Sequence, residues 1–199
     1  SEDTAAAIAE LVEQLDDSER LQWGAAFPMN HAALRAVTLP FTDKNQVAQT
    51  LEFEIESLVP YDLEDMIMAH RIVGVDDQGS RVLAALAPKE RVGTLLADLA
   101  QVGADPKSLV LDGDILGGLG GSGVEAIVDL GHSRTVVTVA QDGQTIFSRG
   151  ISQGGLHLTT ALAAALGIDA DAAQQRKHAA RLATPTMAEW SDEEATRAD

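Results

Sequence analysis

The sequence predicts an α/β protein in two lobes, and three observations carry that prediction. Short apolar runs alternate with stretches whose apolar residues recur at helical spacing. Elements of both kinds lie on either side of a glycine-rich segment, DGDILGGLGGSG (residues 112–123), and residues 125–149 read as three consecutive strands. The expected organisation is a first lobe over residues 1–111, a flexible connection over 112–123, a second lobe over 124–183 and a polar tail over 184–199.

Composition narrows the function classes. The 199 residues carry 31 acidic and 14 basic side chains, a formal charge of −17, which argues against nucleic acid or an anionic lipid surface as partner and favours a basic one. Hydrophobic residues make up 45%, enough for a core, and the absence of cysteine excludes disulfides and thiolate metal sites. No apolar run approaches the ~20 residues of a membrane helix. The chain begins at Ser1 rather than methionine, as expected of a processed product or a soluble piece of a longer protein.

In the first lobe, Ile8, Leu11, Val12 and Leu15 form the stripe of an opening helix over Ala5–Leu15. Leu21–Phe27 and Ala33–Leu39 read as strands around a Pro28-Met29-Asn30 turn, with Trp23 a core aromatic. Thr42 or Asp43 caps a helix whose inner face is Val47, Leu51, Ile55 and Leu58. Its outer face carries Glu52, Glu54 and Glu56. Such carboxylates suit acid–base or ligand roles, but on an amphipathic helix they are usually a solvated face. Met66–Val75 and Ser80–Ala87 read as a β-hairpin, in which His70 lacks ligand-type neighbours, so no metal site is expected. Val92, Leu95, Leu96 and Leu99 mark a further helix, and Ser108–Leu111 a buried strand.

In the second lobe, Glu125–Leu130, Arg134–Ala140 and Gln144–Arg149 are the three strands, the last two joined by Asp142-Gly143, a dipeptide suited to the positive φ of a primed hairpin turn. At the first turn stand Asp129, Gly131 and Thr135. A strand-end carboxylate, a bare backbone and a nearby hydroxyl can hold hydrated Mg²⁺ and phosphate oxygens, and the same residues can make an ordinary satisfied turn. Gly154 and Gly155 precede a helix with Leu158, Leu162 and Leu166 on one face. They would let a phosphate approach a helix start or serve the turn alone. A last helix, carrying Lys177, begins at Asp169 or Asp171 and ends near Leu182.

Two segments, LPFTDKNQVAQTLEFEIESLVPYDLEDM (Leu39–Met66) and AIVDLGHSRTVVTVAQDGQTIFSRGISQGGLHLTTALAAAL (Ala126–Leu166), together resemble the PilM/GspL family of actin-like proteins from type IV pilus and type II secretion inner-membrane platforms. Leu-Pro-Phe before a helix, a Glu-rich helix ending in Pro-Tyr-Asp, Asp-Leu-Gly followed by Thr, and Gly-Gly before a helix recur in order, and Asp-Leu-Gly-His-x-Arg-Thr looks closer to the GspL branch. The resemblance implies part of an actin-like ATPase (ribonuclease H-like) fold. It implies a vestigial nucleotide site at Asp129, Gly131, Thr135, Gly154, Gly155 and Lys177, the lysine kept in Ala173-Gln174-Gln175-Arg176-Lys177 where relatives read Ala-Glu-x-x-Lys. No cofactor is required; ATP and Mg²⁺ are the ligands the resemblance allows in the full-length protein, and no residue identifies itself as positioning a hydrolytic water.

On this resemblance the chain is expected to be a non-catalytic scaffold at the cytoplasmic face of a Gram-negative inner membrane. It would dock the N-terminal domain of a secretion ATPase and inner-membrane platform proteins, through an acidic surface of Glu52, Glu54, Glu56, Glu64 and Asp65. Membrane attachment would lie in segments outside this chain, and a homodimer is compatible with it. The alternatives are a PilM-type nucleotide-binding adaptor that grips a membrane partner's N-terminal tail in a groove between lobes, and an actin-like ATPase or sugar-kinase-type phosphotransferase.

Overall fold

The computed structural model describes residues 22–180 and Glu10. The expected opening helix, Glu10 apart, and the polar tail lie outside the described residues. The chain divides into two compact units, Ser1–Gly154 and Gly155–Asp199. Residues 112–123, expected to connect two lobes, are internal to the first unit.

In the first unit, β1 (Trp23–Phe27) pairs in parallel with β5 (Pro106–Leu111), the intervening chain supplying the crossover that a parallel pair requires. That crossover contains an antiparallel sheet of order β2-β4-β3, from β2 (Ala33–Leu39), β3 (Met66–Asp76) and β4 (Gly79–Pro88). The β3–β4 hairpin forms as the sequence predicts, its pairing carried one residue further on each strand, to Asp76 with Gly79. Helix α1 (Lys44–Glu56) packs on β2, and Asp43 is its cap, its carboxylate accepting from the Asn45 and Gln46 amides at 3.0 and 3.1 Å. Val47, Leu51 and Ile55 are buried against Leu39, Val82, Ala84 and Leu86, whereas Leu58, one turn further, is half exposed because the helix has already ended at Glu56. The continuous apolar run of β4 fits a central strand covered on both faces: Leu83 is buried as well as Val82 and Ala84.

Helix α2 (Lys89–Gln101) turns Val92 into a second core shared with Phe27, Met29, Leu111 and Val136. Its Leu96, expected inside, is partly exposed.

The segment expected as a flexible linker instead begins with a short helix, α3 (Asp112–Gly117), packed on the sheet β6 (Val124–Leu130), β7 (Thr135–Gln141) and β8 (Gln144–Ile151), order β6-β7-β8. A Cβ on Gly113 would overlap the Ser148 hydroxyl, and one on Gly117 the Thr145 hydroxyl. These glycines are therefore contact positions, where the absence of a side chain lets a helix lie directly on strands. The Asp142-Gly143 turn forms as expected, with φ of 52° and 74° and Gln141 paired to Gln144.

The second unit contains α4 (Gly155–Leu166) and α5 (Ala170–Ala179), joined through Gly167 in a left-handed conformation (φ 63°) and capped at Asp169, which accepts from the Ala172 amide at 2.8 Å. The helices meet through buried Thr159 and Ala173, so Leu158 and Leu166 of the expected apolar face stay about half exposed, at 53% and 46%.

Candidate functional site

The β6–β7 turn collects most of the sequence-nominated phosphate residues. The Gly131 amide donates to the Arg134 carbonyl at 2.9 Å, closing the turn. Thr135, at the start of β7, donates its hydroxyl proton to the Gln153 carbonyl at 2.7 Å. That bond draws the strand exit against the turn, and Gly154 is buried there: a Cβ would sit 2.5 Å from the Gly131 carbonyl oxygen and 2.7 Å from the Arg134 nitrogen. Asp129, two residues back on β6, is exposed, and its carboxylate has no partner among the described residues.

Gly155 and Lys177 belong to the second unit. The Lys177 ammonium donates to the Gly155 carbonyl and to the Thr159 hydroxyl oxygen, both at 2.8 Å. Thr159 lies 2.6 Å from Gln174 Oε1, and the Gln174 amide contacts His178. Lysine and glutamine thereby tie α5 to the first turn of α4.

A Mg²⁺-nucleotide fits this donor set only in part. The Asp129 carboxylate is open to a hydrated cation. The Thr135 hydroxyl has one proton, already donated to a backbone carbonyl, and could bind a phosphate oxygen only by leaving it. Lys177 points two of its donors at its own helix pair. Packing against the turn, which leaves no space for a Cβ at Gly154, explains that glycine without any ligand.

The acidic residues are distributed as expected. Glu52, Glu54 and Glu56 are exposed on α1, and Glu64 and Asp65 are exposed in the short 3-10 turn Leu63–Asp65 before β3. Between the first two glutamates stands Phe53, 74% exposed, a residue the helical pattern did not mark.

Two ion pairs escaped sequence reasoning. Asp112 accepts from the Met29 and Gly113 amides at 2.8 and 2.7 Å through one oxygen and pairs with Arg134 at 2.8 Å through the other. Asp114 pairs with Arg71 at 2.6 Å, and Arg71 also donates to the Thr145 carbonyl at 2.8 Å. The available signal was Arg71 itself, a charge inside the apolar run MIMAHRIVGV, which demands a partner. Its partner lay in the segment read as linker. The Arg71–Asp114 pair rims a cleft of ≈ 280 Å³ whose other lining includes Phe27, Leu34, Ile67, Leu83 and Val110. A concavity that is apolar apart from His70, Arg71 and Asp114 is a chemistry suited to apolar side chains of a peptide.

Comparison with known proteins places these features in context. The family profile described as type IV pilus assembly protein PilM matches residues 2–189. Comparison with curated proteins finds no match. Among solved structures, a PilM-PilN type IV pilus biogenesis complex is similar with a TM-score of 0.66 at 19% identity, over 87% of this chain and 56% of that one. The cytoplasmic domain of EpsL, an inner membrane component of the type II secretion system of Vibrio cholerae, is similar with a TM-score of 0.57 at 13% identity, over 83% of this chain and 61% of that one. The fold is thus part of the actin-like ATPase fold. The chain spans 56% and 61% of the lengths of these two structures.

Proposed function

The chain belongs to the PilM family of type IV pilus assembly proteins, related to the type II secretion platform proteins, and from that premise we propose that it is a non-catalytic adaptor that holds a short apolar segment of an inner-membrane partner in the Arg71–Asp114 cleft. The cleft carries this reading: it is apolar over most of its lining, with Arg71 and Asp114 among its polar residues, and Ile67 of β3 and Val110 of β5 stand 44% and 41% exposed in it. The partner class comes from the PilM-PilN complex, whose similarity to this chain is one of fold. In this reading the β6–β7 turn organises packing rather than transferring phosphate, since the Thr135 proton and the Lys177 ammonium are engaged within the chain. No helix among the described residues is long and apolar enough to cross a membrane. The proposed place of the adaptor, the cytoplasmic face of the inner membrane, is taken from the cytoplasmic domain of EpsL, whose fold it resembles.

A second reading, a secretion-platform scaffold docking the secretion ATPase, rests on the EpsL similarity and on Asp129-Leu-Gly-His-x-Arg-Thr. The two part on binding. Titrated with a labelled N-terminal tail of a candidate inner-membrane platform partner, the adaptor should bind, and Ile67→Asp with Val110→Asp should weaken binding by about tenfold or more, the loss of ~1.4 kcal/mol or more expected from two apolar contacts. Unchanged tail binding in that variant removes the cleft. Retention of the ATPase N-terminal domain without the tail favours the scaffold.

A further inference from the structure

A second cleft, of ≈ 290 Å³, opens elsewhere in the first unit, between the start of β2 and the end of β8. Residues 32–35 line one side and residues 147–150 the other, with Met29 beside them. Successive side chains of a strand point to opposite faces, so a cleft lined by four consecutive residues on each side is approached along the strand edges, by backbone. Both strands are sheet edges: β2 is terminal in β2-β4-β3 and β8 in β6-β7-β8, neither is hydrogen-bonded to a second strand among the described residues, and the two strands approach each other too closely for a segment to pair with both at once, so one edge takes it. One end is closed where Gly150 backs onto Asn30, a Cβ there overlapping the Asn30 backbone.

Charge selects what would enter. Arg35 and Arg149 both line the cleft, and neither forms an ion pair among the described residues; Arg35 makes one hydrogen bond, to the adjacent Leu34 carbonyl. Arg91 adds positive charge at His31 in the adjoining turn, whereas Arg134, which also acts on that ring, is already paired with Asp112. In a chain with 31 acidic and 14 basic residues this is a local reversal of sign, facing unpaired strand edges. Ala33 and Phe147, the latter 48% exposed, supply apolar surface between the arginines.

We propose that the β2–β8 cleft is a docking groove for an acidic extended peptide segment of a partner protein, which lays its backbone along a free strand edge and its carboxylates on Arg35 and Arg149. Four residues at ~3.3 Å each give ~13 Å of edge, matched by about four extended residues. Main-chain bonds would supply affinity, and the arginine pair the choice of sequence. The site shares only Leu34 with the Arg71–Asp114 cleft and calls for a partner of opposite character.

The test is a titration of the 199-residue chain with a fluorescein-labelled (Glu-Val)4 peptide and a (Lys-Val)4 control, read by anisotropy and by amide hydrogen exchange. The expected result is binding of the acidic peptide alone, with slowed exchange confined to residues 32–35 and 147–150. Arg35→Gln with Arg149→Gln should weaken binding by about tenfold or more, since each removes a charged donor to the peptide's carboxylates. The single variant Arg149→Gln, at an exposed position, should show a smaller loss and guards against misfolding of the double variant. Ile67→Asp with Val110→Asp should leave acidic-peptide binding unchanged. Equal binding of both peptides, indifference to the arginines, or binding without slowed exchange at those edges would each overturn the proposal.

Discussion

The first unit packs two sheets by opposite means. Under α1 the contact is wholly apolar: Val47, Leu51 and Ile55 meet Val82, Ala84 and Leu86, all at 0% exposure. Under α3 it is made of glycines and hydroxyls. Thr138, Thr145 and Ser148 are buried at 0%, 1% and 3%, and the Thr138 hydroxyl donates to the Gly113 carbonyl at 2.9 Å while Thr145 donates to that of Asp114 at 3.1 Å. The difference follows from helix length. A helix of 13 residues can present a long apolar stripe, whereas α3 has 6; the amides of Gly118, Leu119 and Gly120 meet its Ile115, Leu116 and Gly117 carbonyls, and the Gly113 and Asp114 carbonyls accept from the surface it covers. Buried hydroxyls on β7 and β8 are those donors, and Gly113 and Gly117 permit the approach.

Truncation separates the two kinds of packing most strongly. Leu51→Ala removes a fully buried side chain from the α1 core, and should destabilise by about 2–5 kcal/mol in urea unfolding. A loss below ~1 kcal/mol would mean that the α1 core collapses around the cavity and is less rigid than its burial suggests.

The glycine contacts should respond to enlargement instead. Gly117→Ala places a methyl on the Thr145 hydroxyl and backbone, at a cost of about 1–3 kcal/mol. Gly93→Ala is the matched control: Gly93 lies inside α2 with nothing within 4 Å of its would-be Cβ, so the same substitution should stabilise by about 0.5–1 kcal/mol. Opposite signs in paired denaturant melts support the close-approach account. Two changes of the same sign would return Gly117 to the role of flexible connector.

What was legible in the sequence divides along the same line. The α1 stripe, the β3–β4 hairpin and the Asp142-Gly143 turn are written in local spacing, since each is decided by residues a few positions apart. Glycine is not so readable. DGDILGGLGGSG has the composition of a linker, and only Thr145 and Ser148, about thirty residues downstream, decide that two of its glycines are contacts. Arg71 announced a need that Asp114 met across 43 positions. Among the nominated phosphate residues, Gly131, Thr135 and Gly154 do converge on one turn, and the pattern was readable because the strands that carry them are consecutive. That the Thr135 proton goes to Gln153 was not readable, because a hydroxyl's partner depends on the exit path of β8.

The smallest expected effect lies where the two sheets' connections meet, at the turn carrying His31. Burial, followed by the positive charges of Arg91 and Arg134, lowers the His31 pKa below its ordinary 6.5. The unfolded chain therefore takes up a proton on this ring at a pH where the folded chain does not. Stability from the neutral imidazole is fully present above pH 6.5 and is lost as pH falls through 6.5 toward the lowered folded value. His31→Gln keeps a polar side chain and removes the titration. Between pH 7.5 and 5.5 the wild-type chain should lose more urea stability than this variant, and raised salt, which screens the two arginines, should narrow the gap. Parallel pH profiles would show that the arginines and the local burial do not act on the ring in solution. A wild-type profile that becomes relatively more stable on acidification would mean that an acidic group, and not Arg91 and Arg134, governs the turn.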